Sequence, residues 1–191
     1  MNYDEYTKRI TQEVDALSQK EKVVLCLICC ERLVPLYEKF SETEDFGSVA
    51  VLCESERIAK GWLQGDYLET SLIAQQLADV IPDMDDFGSI SGSFALNAGL
   101  AHEHLLEQMQ SDDSAPAFYA LLSCYDTIDF YVQDLLDPDC KGGVPEVEIE
   151  NHEMVVNEIK WQLNIFEEIK SSKRIESFSD NYEAHAIIDI A

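Results

Sequence analysis

The chain has 191 residues, of which 46% are hydrophobic and 27% are charged, the composition of an ordinary globular domain. Thirty-eight acidic residues against thirteen basic ones give a formal net charge of −25, which disfavours direct binding to nucleic acid or to anionic membranes. The longest uninterrupted apolar run, Val23 to Cys30, is too short to span a bilayer. The first residues have neither the basic nor the apolar region of a secretory signal, so we expect a cytoplasmic protein.

Helical periodicity begins at the N-terminus. Apolar residues recur every three or four positions from Tyr3 to Leu17, which predicts an amphipathic helix. Ser18 and Glu21 then form a capping box, which predicts the start of a second helix. This second helix is apolar on nearly all sides, as expected of a central helix, and we expect Pro35 to kink it or end it.

The middle of the chain predicts four more helices. Ser48 and Asp66 are each placed to cap a helix, and the second of these ends near Pro82. A loop follows by its composition, and the next helical period runs from Phe94 to Met109. Pro116 then lies in the first turn of a long helix that continues to Leu136.

The C-terminal part predicts one last long helix over residues 149–169, after a break rich in Asp, Gly and Pro. Residues 171–191 fit either a short helix or a docked tail. No segment shows the alternation of a strand. We therefore predict an all-α protein with a single domain over residues 1–191, a bundle of about seven helices, with an ambiguous tail over residues 171–191.

Six cysteines are present: Cys26, Cys29, Cys30, Cys53, Cys124 and Cys140. Cys26 and Cys29 have the spacing of a redox or metal motif, but no second ligand pair follows at a zinc-site interval. A redox thiol also favours a helix N-terminus, whereas this pair lies within an apolar run. We therefore interpret the cysteines as reduced, mostly buried core residues.

The run from Cys30 to Phe40, followed by Phe46 and Gly47, resembles a family of small bacterial proteins called domain of unknown function 416. The further matching positions are Ile81-Pro82, Asp85-Asp86-Phe87, Trp161 and Phe166. The family is all-helical, so the resemblance implies the same fold class, and it implies no activity. Some bacterial families of this kind serve as immunity proteins beside toxin genes, which is an analogy for the function.

Two pairs of acidic residues have the spacing of carboxylate metal ligands on a helix. They are Asp126 with Asp129, and Glu150 with Glu153. Such spacings arise by chance in an acidic chain, and the Glu-x-x-His motif of di-metal bundles is absent. We expect no metal and no cofactor, and we keep a divalent-metal phosphohydrolase that uses these four residues as the alternative.

The four histidines are His102, His104, His152 and His185. His102 and His104 would point about 200° apart on a helix, and they do not form the His-Glu-x-x-His motif of zinc hydrolases. We therefore expect surface histidines. Glycine-rich phosphate loops and the nucleophile elbow of hydrolases are also missing from the sequence.

The distribution of charge is the most informative feature. From Gly61 to Cys140 the chain contains fifteen acidic residues and no lysine or arginine, although folding does not require bases to be excluded. A surface of one sign would steer a basic partner. The candidate partner-binding residues are Asp83, Asp85, Asp86, Asp112, Asp113, Glu31 and Arg32. For Glu31 and Arg32 we favour a structural role, with a ligand contact as the alternative, because a partly buried arginine needs a partner.

These observations favour a non-enzymatic, acidic binding protein. Its most concrete form is an immunity-like inhibitor that covers the cationic cleft of a basic toxin or nuclease and needs no catalytic residues of its own. The metal-dependent phosphohydrolase is the alternative. A third possibility is a housekeeping protein whose acidity is an adaptation of its host.

Overall fold

Helices make up the regular secondary structure of this protein. A computed structural model describes residues 1–66, 69–139, 141–178, 182 and 185–188, and these residues contain eight α-helices, one 3₁₀ turn at Ile175–Ser177 and no strand. The α-helices are α1 (Tyr3–Asp15), α2 (Gln19–Glu44), α3 (Val49–Leu63), α4 (Ser71–Val80), α5 (Ile90–Gln110), α6 (Ala115–Leu136), α7 (Glu146–Glu150) and α8 (Glu153–Ser171). The prediction of an all-α fold is confirmed.

The centre of the fold is α2, which contacts α3, α5, α6 and α8. It begins at the predicted capping box of Ser18 and Glu21, and residues 23–30 are completely buried. Pro35 lies inside the helix and does not end it, since α2 continues to Glu44. Pro35 is exposed, so water can replace the hydrogen bond that its missing N–H removes.

The helices α5 and α6 form an antiparallel hairpin with a short connection. The Asn97 side chain donates to the Thr127 hydroxyl over 3.1 Å, and the rings of Phe94 and Tyr131 lie 6.4 Å apart. This pairing places the N-terminus of α5 beside the C-terminal turns of α6. The loops at the two ends of α5 are therefore separated by about 31 Å, the length of a 21-residue helix.

The helices α1 and α8 run parallel to each other. The Tyr6 hydroxyl donates to Gln162 Oε1 over 2.7 Å, and Lys170 Nζ contacts Glu13 Oε2 at 2.6 Å near the C-termini of both helices. Beyond α8, Ile187 and Ile188 are buried, and the Ile187 N–H donates to a carbonyl of α2. The last part of the chain therefore contains both a short 3₁₀ turn and a docked tail.

Two predicted helix boundaries are wrong. The helix α4 begins at Ser71, and Asp66 does not cap it; Thr70 is the N-cap residue, and the Glu69 carboxylate accepts from the Ser71 N–H over 3.1 Å. The predicted last helix is divided into α7 and α8, because His152 adopts an extended backbone conformation and its ring nitrogen accepts from the Met154 N–H.

The N-terminus of α3 lies where the sequence predicts it, but without the expected cap. Ser48 is the N-cap residue, and its side chain makes no capping hydrogen bond. Its N–H instead donates to the Tyr37 hydroxyl over 3.2 Å. Within the described part of the chain, no helix is both long enough and apolar enough to cross a membrane.

Candidate functional site

The acidic loop between α4 and α5 carries Asp83, Asp85 and Asp86, and all three side chains are exposed. The Asp83 carboxylate accepts from the Asp85 N–H over 2.9 Å, which is a local turn interaction. These three aspartates therefore stand on the surface beside the N-terminus of α5, where a partner could reach them.

Asp112 and Asp113 lie at the opposite end of α5, in the connection to α6. The buried Lys22 contacts Asp112 through both its carboxylate, at 3.3 Å, and its backbone carbonyl, at 2.7 Å. The Asp113 carboxylate accepts from the Ala115 N–H over 3.0 Å at the start of α6. The structure therefore does not bring these two residues together with the loop at Asp83. It gives Asp112 a contact to α2 and Asp113 a local contact at the start of α6.

Arg32 faces the interior of the bundle. Its guanidinium donates two hydrogen bonds to the Glu158 carboxylate, over 2.9 and 2.6 Å, and it lies 3.5 Å from the centre of the Trp161 ring. Burial opposes the positive charge, but Glu158 more than offsets this effect, and the pKa of Arg32 is raised. This geometry agrees with a structural role. Glu31 contacts Lys60 at 2.8 Å on the adjacent helix α3.

The Arg32–Glu158 pair belongs to a buried network that joins four helices. Gln162 donates to Glu158 over 2.9 Å and to the Leu121 carbonyl of α6 over 3.0 Å. The Tyr6 hydroxyl of α1 donates to the oxygen of the Gln162 side-chain amide. Each polar group in this network has a partner, so the network positions α1, α2, α6 and α8 relative to one another.

A concave surface runs along the C-terminal half of α6 toward the N-terminus of α1. It consists of three adjoining cavities of about 470, 370 and 280 Å³, which share lining residues with their neighbours. Seven carboxylates line them: Asp4, Asp126, Asp129, Asp134, Asp137, Glu146 and Glu150. No lysine or arginine is among the described residues that line the cavities, and we call this surface the acidic groove. Such a groove attracts cations and repels anions.

The middle cavity is the Tyr125 pocket, which α1, α6 and α7 build together. Its polar lining residues are Tyr3, Tyr125, Asp126, Asp129, Gln133, Glu146 and Glu150. Burial, reinforced by the negative charge of Asp129, raises the pKa of Asp126 to about 6. Burial also raises the pKa of Asp129 and of the Tyr125 hydroxyl. Ionisation of these carboxylates is therefore less favourable than in water, because the groups are partly buried and repel each other.

The four acidic residues of the enzymatic alternative are only partly brought together. Asp126, Asp129 and Glu150 line the Tyr125 pocket, whereas Glu153 is an exposed residue at the start of α8. Within the described residues, no group of three or more His, Cys, Asp or Glu side chains is arranged to hold a metal ion. Three of the four residues therefore share one pocket, and the fourth lies outside it.

The prediction of surface histidines is wrong for His102. This residue is completely buried: its Nδ1 lies 2.7 Å from the Ala98 carbonyl oxygen, and its Nε2 lies 3.4 Å from a carboxylate oxygen of Glu56 on α3. Its position in α5 turns it toward α3 and away from solvent. His104 stays partly exposed beside Glu107, which agrees with the prediction.

The cysteines of α2 are buried free thiols, as predicted. Cys26, Cys29 and Cys30 are completely buried, and so is Cys124 on α6. Burial raises the pKa values of the Cys26 and Cys30 thiols, so these groups are poor nucleophiles. Cys53 is exposed on α3. Cys140 lies outside the described residues.

Sequence reasoning missed four polar residues of the Tyr125 pocket: Tyr3, Tyr125, Gln133 and Glu146. Both tyrosines were counted as apolar positions of amphipathic helices, which is correct for their rings. Glu146 belongs to the short helix α7, which has no strong periodic pattern. No sequence signal brings these residues together, because their contact depends on α1, which is far from α6 and α7 in the chain.

The positions that carry the family resemblance have structural contacts in this fold. The rings of Phe40, Phe46 and Phe87 pack against one another with centroids 4.6 to 6.2 Å apart. The Tyr37 hydroxyl donates to the Val80 carbonyl over 2.7 Å, and Gly47 packs directly against that hydroxyl. These residues attach the loops after α2 and α4 to the central helix, so the motif maintains the fold.

Comparison with known proteins agrees with this architecture. A family model described as "Protein of unknown function (DUF416)" matches residues 9–181. The chain is similar to the 1.91 Å crystal structure of a DUF416 family protein from Shewanella baltica OS155, with a TM-score of 0.75 and 24% identity over 85% of each chain, a likeness of fold alone. No curated protein matches the sequence. The chain therefore belongs to the DUF416 family of proteins of unknown function.

Proposed function

We propose that this protein acts by binding a basic protein partner through the acidic groove and the neighbouring loop that carries Asp83, Asp85 and Asp86. The observation that carries the proposal is the set of seven carboxylates lining one continuous concave surface. A groove of one sign with low-dielectric walls focuses the field toward a cationic partner. The loop extends this surface, because Gly88, Ser89 and Ile90 at its end line the first cavity.

The acidic residues of this surface have few cationic neighbours of their own. Among the described residues of the base-free segment, Asp112 contacts Lys22 and Asp139 contacts Lys141, and Glu107 lies beside His104. All three contacts lie outside the groove lining. A partner that supplies lysines or arginines would therefore relieve mutual repulsion without breaking an existing ion pair.

The most concrete form of this function is an immunity-like inhibitor of a basic toxin or nuclease. The substrate cleft of a nuclease is cationic, since it must hold a phosphate backbone, and an acidic protein that covers it would block the substrate. The inhibitor would need no catalytic residue. We propose that it acts in the cytoplasm, which agrees with the free thiols of the described cysteines.

A metal-dependent phosphohydrolase has weaker support. Three of its four residues share the Tyr125 pocket, but the described residues contain no group arranged to hold a metal. A lining of carboxylates without a base also repels a phosphate ester, whose charge is negative. Saturable stabilisation by Mg²⁺ or Mn²⁺ at millimolar concentration, lost in Asp129→Ala, would favour the enzyme over the binding protein.

The test is a pull-down from host lysate with two charge-matched variants. The first variant combines Asp83→Lys, Asp85→Lys and Asp86→Lys, and the control combines Asp15→Lys, Glu167→Lys and Glu168→Lys at exposed positions of α1 and α8. We expect a basic protein to be retained by the wild type and the control and to be lost from the first variant. Equal retention by both variants, or retention of acidic proteins only, would show that the charge reflects solubility or host adaptation.

A further inference from the structure

The side chain of Tyr125 is buried without a partner for its hydroxyl. Tyr125 is 4% exposed, and its ring packs at 4.7 Å from the Tyr6 ring and at 5.4 Å from the Tyr3 ring. No residue within the described ranges makes a hydrogen bond to this hydroxyl, although Tyr125 lines the pocket named after it. Buried phenol groups normally have a hydrogen-bond partner. The Tyr125 hydroxyl is therefore available to a ligand that enters the pocket.

Asp126, the next residue of α6, is in the same situation. Its carboxylate lines the same pocket and is partly buried, and no described residue donates a hydrogen bond or an ion pair to it. Burial and the charge of Asp129 raise its pKa to about 6. The Tyr125 hydroxyl and the Asp126 carboxylate thus line the same pocket, and neither has a partner among the described residues.

Two of the other carboxylates of the pocket accept hydrogen bonds from the protein. Glu150 accepts from the Tyr3 N–H over 2.7 Å, and Asp129 accepts from the side chain of Gln133. These bonds fix the orientation of the acceptors and leave their second oxygens available. These two side chains are therefore positioned before any ligand binds, which lowers the entropic cost of binding.

We propose that the Tyr125 pocket binds an alkylammonium or guanidinium group. Asp126 and the Tyr125 hydroxyl accept its N–H groups, and the remaining carboxylates balance its charge. Val144 and Ile149 line the same cavity and pack against an alkyl stem, and a tyrosine ring can stack on a cation. The cavity of about 370 Å³ is wide for a bare metal ion, which needs its ligands at about 2.0–2.6 Å.

The same chemistry has two sources. One is a free diamine or polyamine, and the other is a lysine or arginine side chain of a basic protein. The second source rests on the proposed function, whereas the first does not. Defined probes separate them: 1,5-diaminopentane and spermidine represent the free amine, and capped Gly-Lys-Gly and Gly-Arg-Gly peptides represent the side chain.

The experiment measures binding of each probe by calorimetry to the wild type and to three variants. Tyr125→Phe removes only the hydroxyl and keeps the ring stacking, and Asp126→Asn removes the charge without changing the shape. Glu148→Gln is the matched control, because Glu148 is an exposed acid on α7 that does not line the groove. Thermal unfolding verifies that every variant is folded.

We expect saturable binding of at least one probe class, weakened about tenfold by Asp126→Asn and less by Tyr125→Phe. Saturable binding should persist in the Glu148→Gln variant. It should also persist in the wild type when NaCl is added to the ionic strength of the probe solution. Selective binding of the amines assigns the pocket to free amines, and selective binding of the peptides assigns it to a partner side chain. Equal weakening by Glu148→Gln and Asp126→Asn, or no saturable binding of any probe, would overturn the inference. The proposed function would survive this failure if the Asp83, Asp85 and Asp86 reversal still releases a basic partner.

Discussion

Arg32 and Asp126 show two ways in which this protein holds a charge away from water. Arg32 has a complete set of contacts from Glu158 and Trp161, so its charge is compensated inside the fold. Asp126 lies at the edge of a cavity, and no described residue compensates its charge. A fully paired buried ion contributes to the uniqueness of the fold, whereas an uncompensated one lowers stability and favours a ligand of opposite charge.

The Arg32–Glu158 pair should be strongly coupled in a double-mutant cycle. We expect Arg32→Leu and Glu158→Leu each to lower the free energy of unfolding by about 3–5 kcal/mol, because each leaves a buried charge without a partner. The double variant should lose less than the sum of the two single losses. Urea unfolding measures all three values. The exposed pair of Arg57 and Glu54 serves as the control and should show little coupling.

Asp126 should lower the stability of the fold as the pH rises. An ion-paired acid behaves in the opposite way, because its stabilising effect is lost as the pH falls. Its pKa of about 6 in the folded protein lies above the ordinary value of 3.8, so the folded state binds more protons between these values. Its contribution to stability is therefore present below about pH 4 and is lost as pH rises through 6. Asp126→Asn should be more stable than the wild type by about 1–2 kcal/mol at pH 7.5, after allowance for solvent screening.

This advantage of Asp126→Asn should disappear as the pH is lowered toward 4. Urea unfolding of both proteins at several pH values measures the difference, and the carboxylates outside the Tyr125 pocket cancel because they are common to both. A difference that is constant with pH would show that the Asp126 carboxyl does not titrate as its environment indicates.

At the level of elements, the sequence predicts helices from local contacts and misses what depends on tertiary contacts. The capping box of Ser18 is found correctly because both partners lie within one turn. The break before α8 is missed because a histidine rarely serves as an N-cap residue, and the burial of His102 is missed because it requires α3. The Tyr125 pocket needs α1, α6 and α7 together, which no periodicity encodes.

The start of α5 requires a residue without a side chain at position 92. A Cβ atom on Gly92 would collide with the backbone carbonyl oxygen of Phe87, whose ring packs against Phe40 and Phe46. Alanine favours a helix by about 1 kcal/mol, but we expect the collision to outweigh this gain, with a net loss of about 1–3 kcal/mol in Gly92→Ala. Thermal unfolding tests this, with Ser93→Ala as the control from the same turn. A more stable Gly92→Ala would mean that the loop before α5 moves aside without cost.

At the level of the whole molecule, charge is segregated along the chain. Twelve of the thirteen basic residues lie in residues 8–60 and 160–174, and the thirteenth is Lys141. The antiparallel packing of α5 and α6 places Asp83, Asp85 and Asp86 at the same end as the C-terminus of α6. Asp134 lies in the last turn of α6, and Asp137 directly follows that helix. This end therefore presents acidic residues from two segments that are distant in sequence.

The last prediction concerns the rate at which a basic partner associates with this end. Long-range attraction is screened over about 8 Å at physiological ionic strength, so the association rate constant should fall steeply as NaCl rises, while the dissociation rate constant changes less. Reversal of Asp83, Asp85 and Asp86 should lower the association rate and flatten its salt dependence. The control with Asp15, Glu167 and Glu168 reversed should retain most of the association rate and of its salt dependence, because those acids lie on other helices. Surface plasmon resonance at several salt concentrations measures both constants.

A core variant separates loss of charge from loss of fold. Phe40 is completely buried, so Phe40→Ala should lower the free energy of unfolding by about 3–5 kcal/mol and reduce binding only through the unfolded fraction. The triple reversal should leave the unfolding transition in place, since exposed loop acids contribute little to the core. If a partner binds with kinetics that are independent of salt, or if the reversal leaves its association rate unchanged, then the loop at Asp83 is not the contact. The excess of acidic residues would then be explained by solubility or by adaptation to the host.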